Sequence, residues 1–499
     1  MAVIRKEPSR SVSEFSIRDL AVLPAFIPKD LTHDKIELST SITKHSSKEK
    51  TRIKLSRFLI SADMQAVTGP EMAIGMAREG CLGVIFCSQS IESQAEMAKK
   101  VKRYKAGFVT PEVISPESSL EFLIQRMQET GYSKFFVTQD GEPHGKFIGL
   151  ITDNDFDPEV HLGLKVKDRM ILDKEMFIAY DDEIGYDISK AIRKIAESHY
   201  PAMPVLFRDG RLRDVVFRKD IKQLKINPYE SLDSRQRYLV GAAINTHDYK
   251  ERVPALVGAG ADILFISTSH GYTDFVKETL EYIKNNFDVP IVGGNIVTKE
   301  GFEFLVSNGA DAVKVGMGIG SICITTEKIG MGRGQASALI EITEARNEYF
   351  KKTGVYIPII ADGGIRTPKD MIVALALGAD AIMVGRYVVG TDESPNPVDY
   401  KKNPPSKPYW GEGSNRAKEW MKKRYYHSDF EEGVEGWVDY IGPLKPYLGQ
   451  TFVIVKDGMR KAGTPNISEL QQKAILEILS DKALKEAGVQ DIIIERKKN

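Results

Sequence analysis

Cysteine is scarce. The chain of 499 residues holds three, Cys81, Cys87 and Cys323. Three thiols cannot build a disulfide framework, so a reducing compartment is expected. Net charge is absent as well: Lys and Arg number 69, and so do Asp and Glu. That balance removes any global attraction to nucleic acid or to an acidic membrane surface. Runs of about 18 apolar residues are missing, which excludes a membrane-spanning helix. The first twenty residues, MAVIRKEPSRSVSEFSIRDL, lack the apolar stretch of a secretory signal. These absences together lead to the expectation of a soluble, cytoplasmic protein.

What is present is a hydrophobic share of 42%, enough for a large core and a second module. A Gly-Ala-Asp triplet recurs at 260–262, 309–311 and 378–380, each time ahead of a short continuous apolar run. Such a run fits a strand buried on both faces, as in a parallel sheet. Candidate strands fall at 58–64, 82–86, 238–244, 262–268, 290–296, 312–317, 358–364 and 381–386, with helical patterns between them. Eight β-α units predict a TIM (β/α)8 barrel. The stretch between the second and third strands is too long for a loop. It carries a tandem pattern, 109–168 echoed by 169–227, each half reading strand, helix and hairpin. The expected division is therefore barrel (1–108), inserted pair (109–227) and barrel (228–499). A charged, proline-rich excursion at about 391–440 reads as a lid.

In such a barrel the chemistry sits where the strands end, and phosphate sits after the seventh and eighth. Asp362, Gly363 and Gly364 end strand seven, Gly385 and Arg386 end strand eight, and Gly316, Gly318 and Ser321 follow strand six. Bare N–H groups, a hydroxyl and a guanidinium converge there, as an anion requires. The spacing fails both the dinucleotide fingerprint, because position 321 is serine, and the P-loop, because no Gly-Lys-Ser/Thr follows. Cys323 lies two residues beyond Ser321, in a loop whose N–H groups would favour a thiolate. Cys81 and Cys87 flank an apolar strand and read as packing.

The segments GMGIGSICITT (316–326), DGGI (362–365), YWGEGS (409–414) and Arg424-Tyr425 ahead of EEGVEG (431–436) resemble the IMP dehydrogenase and GMP reductase family over nearly the whole chain. That resemblance implies that Cys323 attacks C2 of IMP, that hydride passes to NAD, and that water releases xanthosine monophosphate from a thioimidate. It implies substrate contacts from Ser321, Asp362, Gly363, Gly364, Gly385, Arg386, Tyr409, Gly411, Glu412 and Gly413. For hydrolysis it implies Arg424, Tyr425, Thr325 and Glu432. For NAD it implies Ser267, Thr268, Ser269, Phe275, Arg252, Gly316 and Gly318. The inserted pair resembles CBS motifs, which implies an adenine or guanine nucleotide. Thr152 with Asp155 echoes the hydroxyl and carboxylate of such sites, and Arg218 with Asp220 is a weaker echo. A structural turn explains these pairs equally well. A homotetramer is implied too.

Three departures from the family pattern stand out. Ser267 replaces the aspartate expected on the NAD ribose. Glu432 replaces a glutamine, and KEAGVQD (485–491) lacks the Glu-Gly-Gly of potassium-binding members. A monovalent cation therefore remains open as a cofactor, with the sequence weighing against it. Among rival readings, GMP reductase shares the cysteine loop but typically has neither the lid nor the insert. A catalytically weak adenine-nucleotide sensor is supported by Ser267 alone.

Overall fold

The computed structural model describes residues 3–5, 15–103, 108–109, 111–130, 132–185, 187–218, 227–417 and 431–487. It divides into two compact units. One comprises residues 1–99, 229–231 and 239–499, the other 100–228 and 232–238.

The first unit is a closed barrel. Its strands are β1 (Leu59–Ser61), β2 (Leu82–Ile85), β3 (Val240–Ile244), β4 (Ile263–Ile266), β5 (Ile291–Ile296), β6 (Ala312–Val315), β7 (Ile359–Asp362) and β8 (Ala381–Val384). Neighbours in sequence are neighbours in space, and β8 closes onto β1 and β2 onto β3, all in parallel. All eight expected runs are thus barrel strands. Each is apolar on both faces because one face fills the barrel and the other meets a helix. In β4, Ile263 and Phe265 point into the interior cluster, while Leu264 and Ile266 join the outer one. Some of the helices between strands start where the sequence supplies side-chain caps. Thr273 accepts from Val276 N–H ahead of Asp274–Asn286. Thr367 and Asp370 form a capping box, with proline at the first position, ahead of Pro368–Ala376.

The Gly-Ala-Asp triplets have one structural role, repeated three times. Each aspartate opens the next strand and bonds in both directions to the residue that opens the previous one. Asp262 takes the Val240 N–H on its carboxylate at 2.8 Å and gives its own N–H to the Val240 carbonyl. Asp311 does the same with Ile291, and Asp380 with Ile359. The glycine two residues earlier turns the chain with φ of +89°, +97° and +114°. Asp380 also receives Arg346 at 3.1 Å and the Tyr356 hydroxyl at 2.8 Å.

The second unit repeats one plan. Val113–Ile114 runs parallel to Lys134–Thr138, which pairs antiparallel with Phe147–Thr152. Ala179–Tyr180 stands in the same relation to Ala202–Leu206 and Leu212–Phe217. The longest helix of each half is Leu120–Thr130 in the first and Ile188–Ala196 in the second. Phe136, Phe147 and Leu150 from the first sheet share a core with Ala202, Leu206 and Val215 from the second. Asp155 accepts the Thr152 N–H at 2.6 Å, and Thr152 Oγ1 accepts the Asn154 N–H. Both side chains are therefore engaged in closing a turn. Arg218 caps the helix end, donating to the carbonyls of Ile195 and Tyr200. Asp220 lies outside the described residues. Among the described residues no helix is long and apolar enough to cross a membrane.

Asp380→Ala should lower stability by about 3–5 kcal/mol, because it strands the Arg346 guanidinium in the interior. The urea midpoint read by circular dichroism checks this, with the exposed Asp481→Ala as the neutral control.

Candidate active site

A cavity of about 560 Å³ opens at the C-terminal ends of the strands, and residues at or after the end of every strand line it. Met64 follows β1, Ser88 follows β2, and Asn245, Thr246 and His247 follow β3. Ser267, Thr268 and Ser269 follow β4, Asn295 lies near the end of β5, and Lys314 in β6. Thr325 and the run from Gly316 to Cys323 come next, then Asp362, Gly363 and Gly364, and Gly385 and Arg386 after β8. Tyr409, Gly411, Glu412, Gly413 and Glu432 complete the wall.

The cysteine loop is held from two sides. The Cys323 N–H donates to the Gly320 carbonyl, and the thiol donates to Thr325 Oγ1 at 3.2 Å. Ile324 N–H donates to the Glu432 carbonyl at 2.9 Å, and Val434 N–H to the Ile322 carbonyl at 3.1 Å. The loop and the segment after 431 therefore pair like short strands, and Glu432 is brought beside Cys323 and Thr325. The loop's glycines are required by close contact. A Cβ on Gly316 would sit 1.9 Å from the Asp362 carbonyl oxygen, and one on Gly318 1.9 Å from Thr326 Oγ1.

At the floor of the cavity Asp362 Oδ2 receives Lys314 Nζ and Asn295 Nδ2, both at 2.9 Å. Burial works against the Lys314 ammonium, but the carboxylates of Asp362 and Asp63 outweigh it and hold the lysine above its usual range. Tyr409 is buried across from Ser321, and burial pushes its phenol up to about 12, so it keeps its proton as a donor. Glycines 363 and 364 have φ of +89° and +76°, which leaves bare N–H groups on the wall near Arg386. The combination of amide donors, hydroxyls and a guanidinium suits a phosphate monoester.

Two residues expected at the cofactor are elsewhere. Arg252 lies wholly inside, on the helix Tyr249–Gly258, with its guanidinium engaged by Asp248, Gln94 and the Gln89 carbonyl. The i, i+4 pairing with Asp248 turns it inward, and His247 stands at the cavity instead. Phe275 is 63% exposed in the first turn of its helix and does not line the cavity. Arg424 and Tyr425 lie outside the described residues. The sequence reading missed Asn245, Thr246, His247, Asn295 and Lys314. The strand-end rule applied to NTH after β3 would have found three of them.

The model of the IMP dehydrogenase / GMP reductase domain matches residues 15–490. An inosine-5'-monophosphate dehydrogenase from Tritrichomonas foetus is 40% identical, over 100% of this chain and 99% of that protein. One from Aquifex aeolicus is 35% identical, over 96% and 95% respectively. Among solved structures, a Trypanosoma brucei GMP reductase in complex with guanosine 5'-monophosphate superposes with a TM-score of 0.85 and 29% identity, over 98% of this chain and 100% of that one. A GMP reductase thus exists at this full length. The inserted module does not by itself separate the two chemistries.

Iodoacetamide at about pH 8 should label Cys323 alone in the native protein. Burial raises the thiols of Cys81 and Cys87 to about 12, whereas Cys323 is part-exposed. Peptide mass spectrometry reads the site, and labelling of all three only after denaturation completes the expectation.

Proposed function

This chain belongs to the IMP dehydrogenase / GMP reductase family, and from that membership we propose that it oxidises IMP to xanthosine monophosphate with NAD. The observation that carries the reading is full-length identity to named IMP dehydrogenases, together with a part-exposed cysteine on a phosphate-fit rim.

The residues divide the work by position. Ser321, Gly364, Gly385 and Arg386 take the phosphate. Asp362, oriented through one oxygen by Lys314 and Asn295, offers its other oxygen to the ribose hydroxyls. Cys323 forms a bond from sulfur to C2, and C2–H departs as hydride. The thiol hydrogen-bonds to Thr325 Oγ1, which relays its proton to the Glu432 carboxylate or to water. Water then adds to C2 and the S–C2 bond breaks, with Thr325 and Glu432 placed to receive the water's proton. We assign the same step to Arg424 and Tyr425 on the sequence resemblance.

NAD supplies the hydride acceptor when bound. The residues present fit it: Asn295 Oδ1 is buried without a partner in this wall, an acceptor suited to a carboxamide N–H. Ser267, Thr268 and Ser269 offer hydroxyls to a ribose. We propose on the same footing that the second unit is a CBS pair binding an adenine or guanine nucleotide, that the protein is a cytoplasmic homotetramer, and that potassium is dispensable.

The second reading, GMP reductase, is favoured by the full-length Trypanosoma match. Absorbance of reduced nicotinamide decides between them. It should rise with IMP and NAD and stay constant with GMP and NADPH. Cys323→Ala should bind IMP and lose turnover by at least about a thousandfold.

Ser267→Asp should lower the KM for NAD roughly tenfold and leave that for IMP unchanged. A carboxylate can accept from both ribose hydroxyls, and bonds to a charged group contribute about 1.5–3 kcal/mol against roughly 0.5–1.5 for neutral ones.

A further inference from the structure

The ladder between β6 and β7 ends at the pair Val315 and Ala361. Beyond it β6 runs into the Cys323 loop, and β7 runs into the Gly363–Gly364 turn. Two carboxamides carry the junction one step further. Asn295 reaches it from the cavity, with Nδ2 donating to the Gly316 carbonyl at 2.8 Å and to Asp362 Oδ2 at 2.9 Å. Gln335 reaches it from the other side, in the first turn of the helix Gln335–Thr353. Its Nε2 donates to the Val315 carbonyl at 2.8 Å and to the Asp362 carbonyl at 3.3 Å. Gln335 is 2% exposed and does not line the cavity. The chemistry above gives it no task.

We propose that Gln335 is a positioning residue for the thiol attack. By holding the last carbonyl of β6 and the last carbonyl of β7 on one amide, it sets the distance between Cys323 and the phosphate turn. The amide has one workable orientation, since its oxygen, turned over, would face two carbonyl oxygens. In the orientation present, Oε1 is buried and has no partner among the described residues. An unmet buried acceptor is destabilising, so a side chain that only filled this space would be better apolar. The fit to both turns is close. A Cβ on Gly316 would lie 3.2 Å from Gln335 Oε1, and one on Gly364 would lie 3.7 Å from Gln335 Cβ. The helix start is itself anchored. The Phe15 carbonyl receives the Ala336 N–H at 3.1 Å, and the Phe15 N–H donates to Ser337 Oγ at 2.8 Å.

The inference rests on the IMP dehydrogenase reading, which grips the substrate by its phosphate after β7 and presents C2 to a sulfur carried after β6. For a substrate held at one end and attacked at the other, a misplacement of about 1 Å costs on the order of a hundredfold in rate. An untethered reagent is indifferent to that spacing.

The test uses full-length protein carrying Gln335→Met, which keeps the length of the side chain without a donor. Gln335→Glu, which offers one donor at most, carries the test if circular dichroism shows the first variant unfolded. Iodoacetamide should label Cys323 in the variant within about twofold of the parent rate. Calorimetry should give IMP dissociation constants within about threefold of each other. Saturating IMP should slow the labelling at least about tenfold in the parent and less than about threefold in the variant, because the bound base no longer covers the sulfur. The burst of NADH with IMP and NAD should slow by at least about tenfold. Unchanged shielding and burst in a folded variant overturn the proposal. So does a burst lost together with the iodoacetamide rate or the IMP affinity, since the amide would then shape the thiol or serve binding. A parent that IMP neither binds nor shields overturns the functional reading on which the proposal stands. A parent that IMP shields but that yields no NADH overturns the dehydrogenase reading alone, and the shielding comparison decides this one.

Discussion

The barrel depends on how its parallel strands are started. A parallel ladder leaves the first N–H and carbonyl of each strand without an obligatory partner at the closed rim. In this chain aspartate supplies both halves of the missing pair, at Asp262, Asp311 and Asp380. Registers on three strand junctions are thereby set at the bottom, which fixes where each strand ends at the top. Cys323, Asp362 and Gly385 can meet in one cavity because strand lengths of four residues carry that register without slack.

Three buried cations of this unit are each met by a carboxylate. Arg346 is matched by Asp380, Arg252 by Asp248 and Lys314 by Asp362. The first two pairs are structural and stay clear of the cavity. The third forms the cavity floor, where an ion pair that leaves one carboxylate oxygen uncommitted can also receive a ligand. Lys407 is held differently, by the carbonyls of Thr391 and Ser394.

The barrel was legible because its signal is repeated. Continuous apolar runs, glycine turns and the aspartate triplet recur at a common spacing, and repetition separates them from accident. Much of the cavity wall was legible for the same reason, since its glycine turns follow strand ends. Two of the residues that escaped were hidden inside strands. Lys314 and Asn295 sit in AVKVGM and PIVGGNI, runs that read as packing, and only the closed barrel aims their side chains at the cavity. Arg252 misled in the opposite sense. The resemblance implied a cofactor contact for it, whereas its guanidinium lies in the interior against Asp248. Thr152 and Asp155 show a motif whose groups close a turn. The choice between hydride donor and acceptor chemistry was not written in the barrel at all, because relatives named for both chemistries match it over the full chain.

The pairing of residues 322–324 with 432–434 also fixes the two ends of an intervening stretch. Glu432 N–H donates to the Gly413 carbonyl at 3.1 Å, so the chain leaves and re-enters at one point. Closure entropy grows only with the logarithm of loop length, about 0.6 kcal/mol for each doubling. The span between those anchors is thus a place where evolution can lengthen, shorten or rewrite sequence at little thermodynamic cost. Glu432 keeps its address beside the cysteine through these anchors, so the cavity wall does not depend on the length of what lies between them.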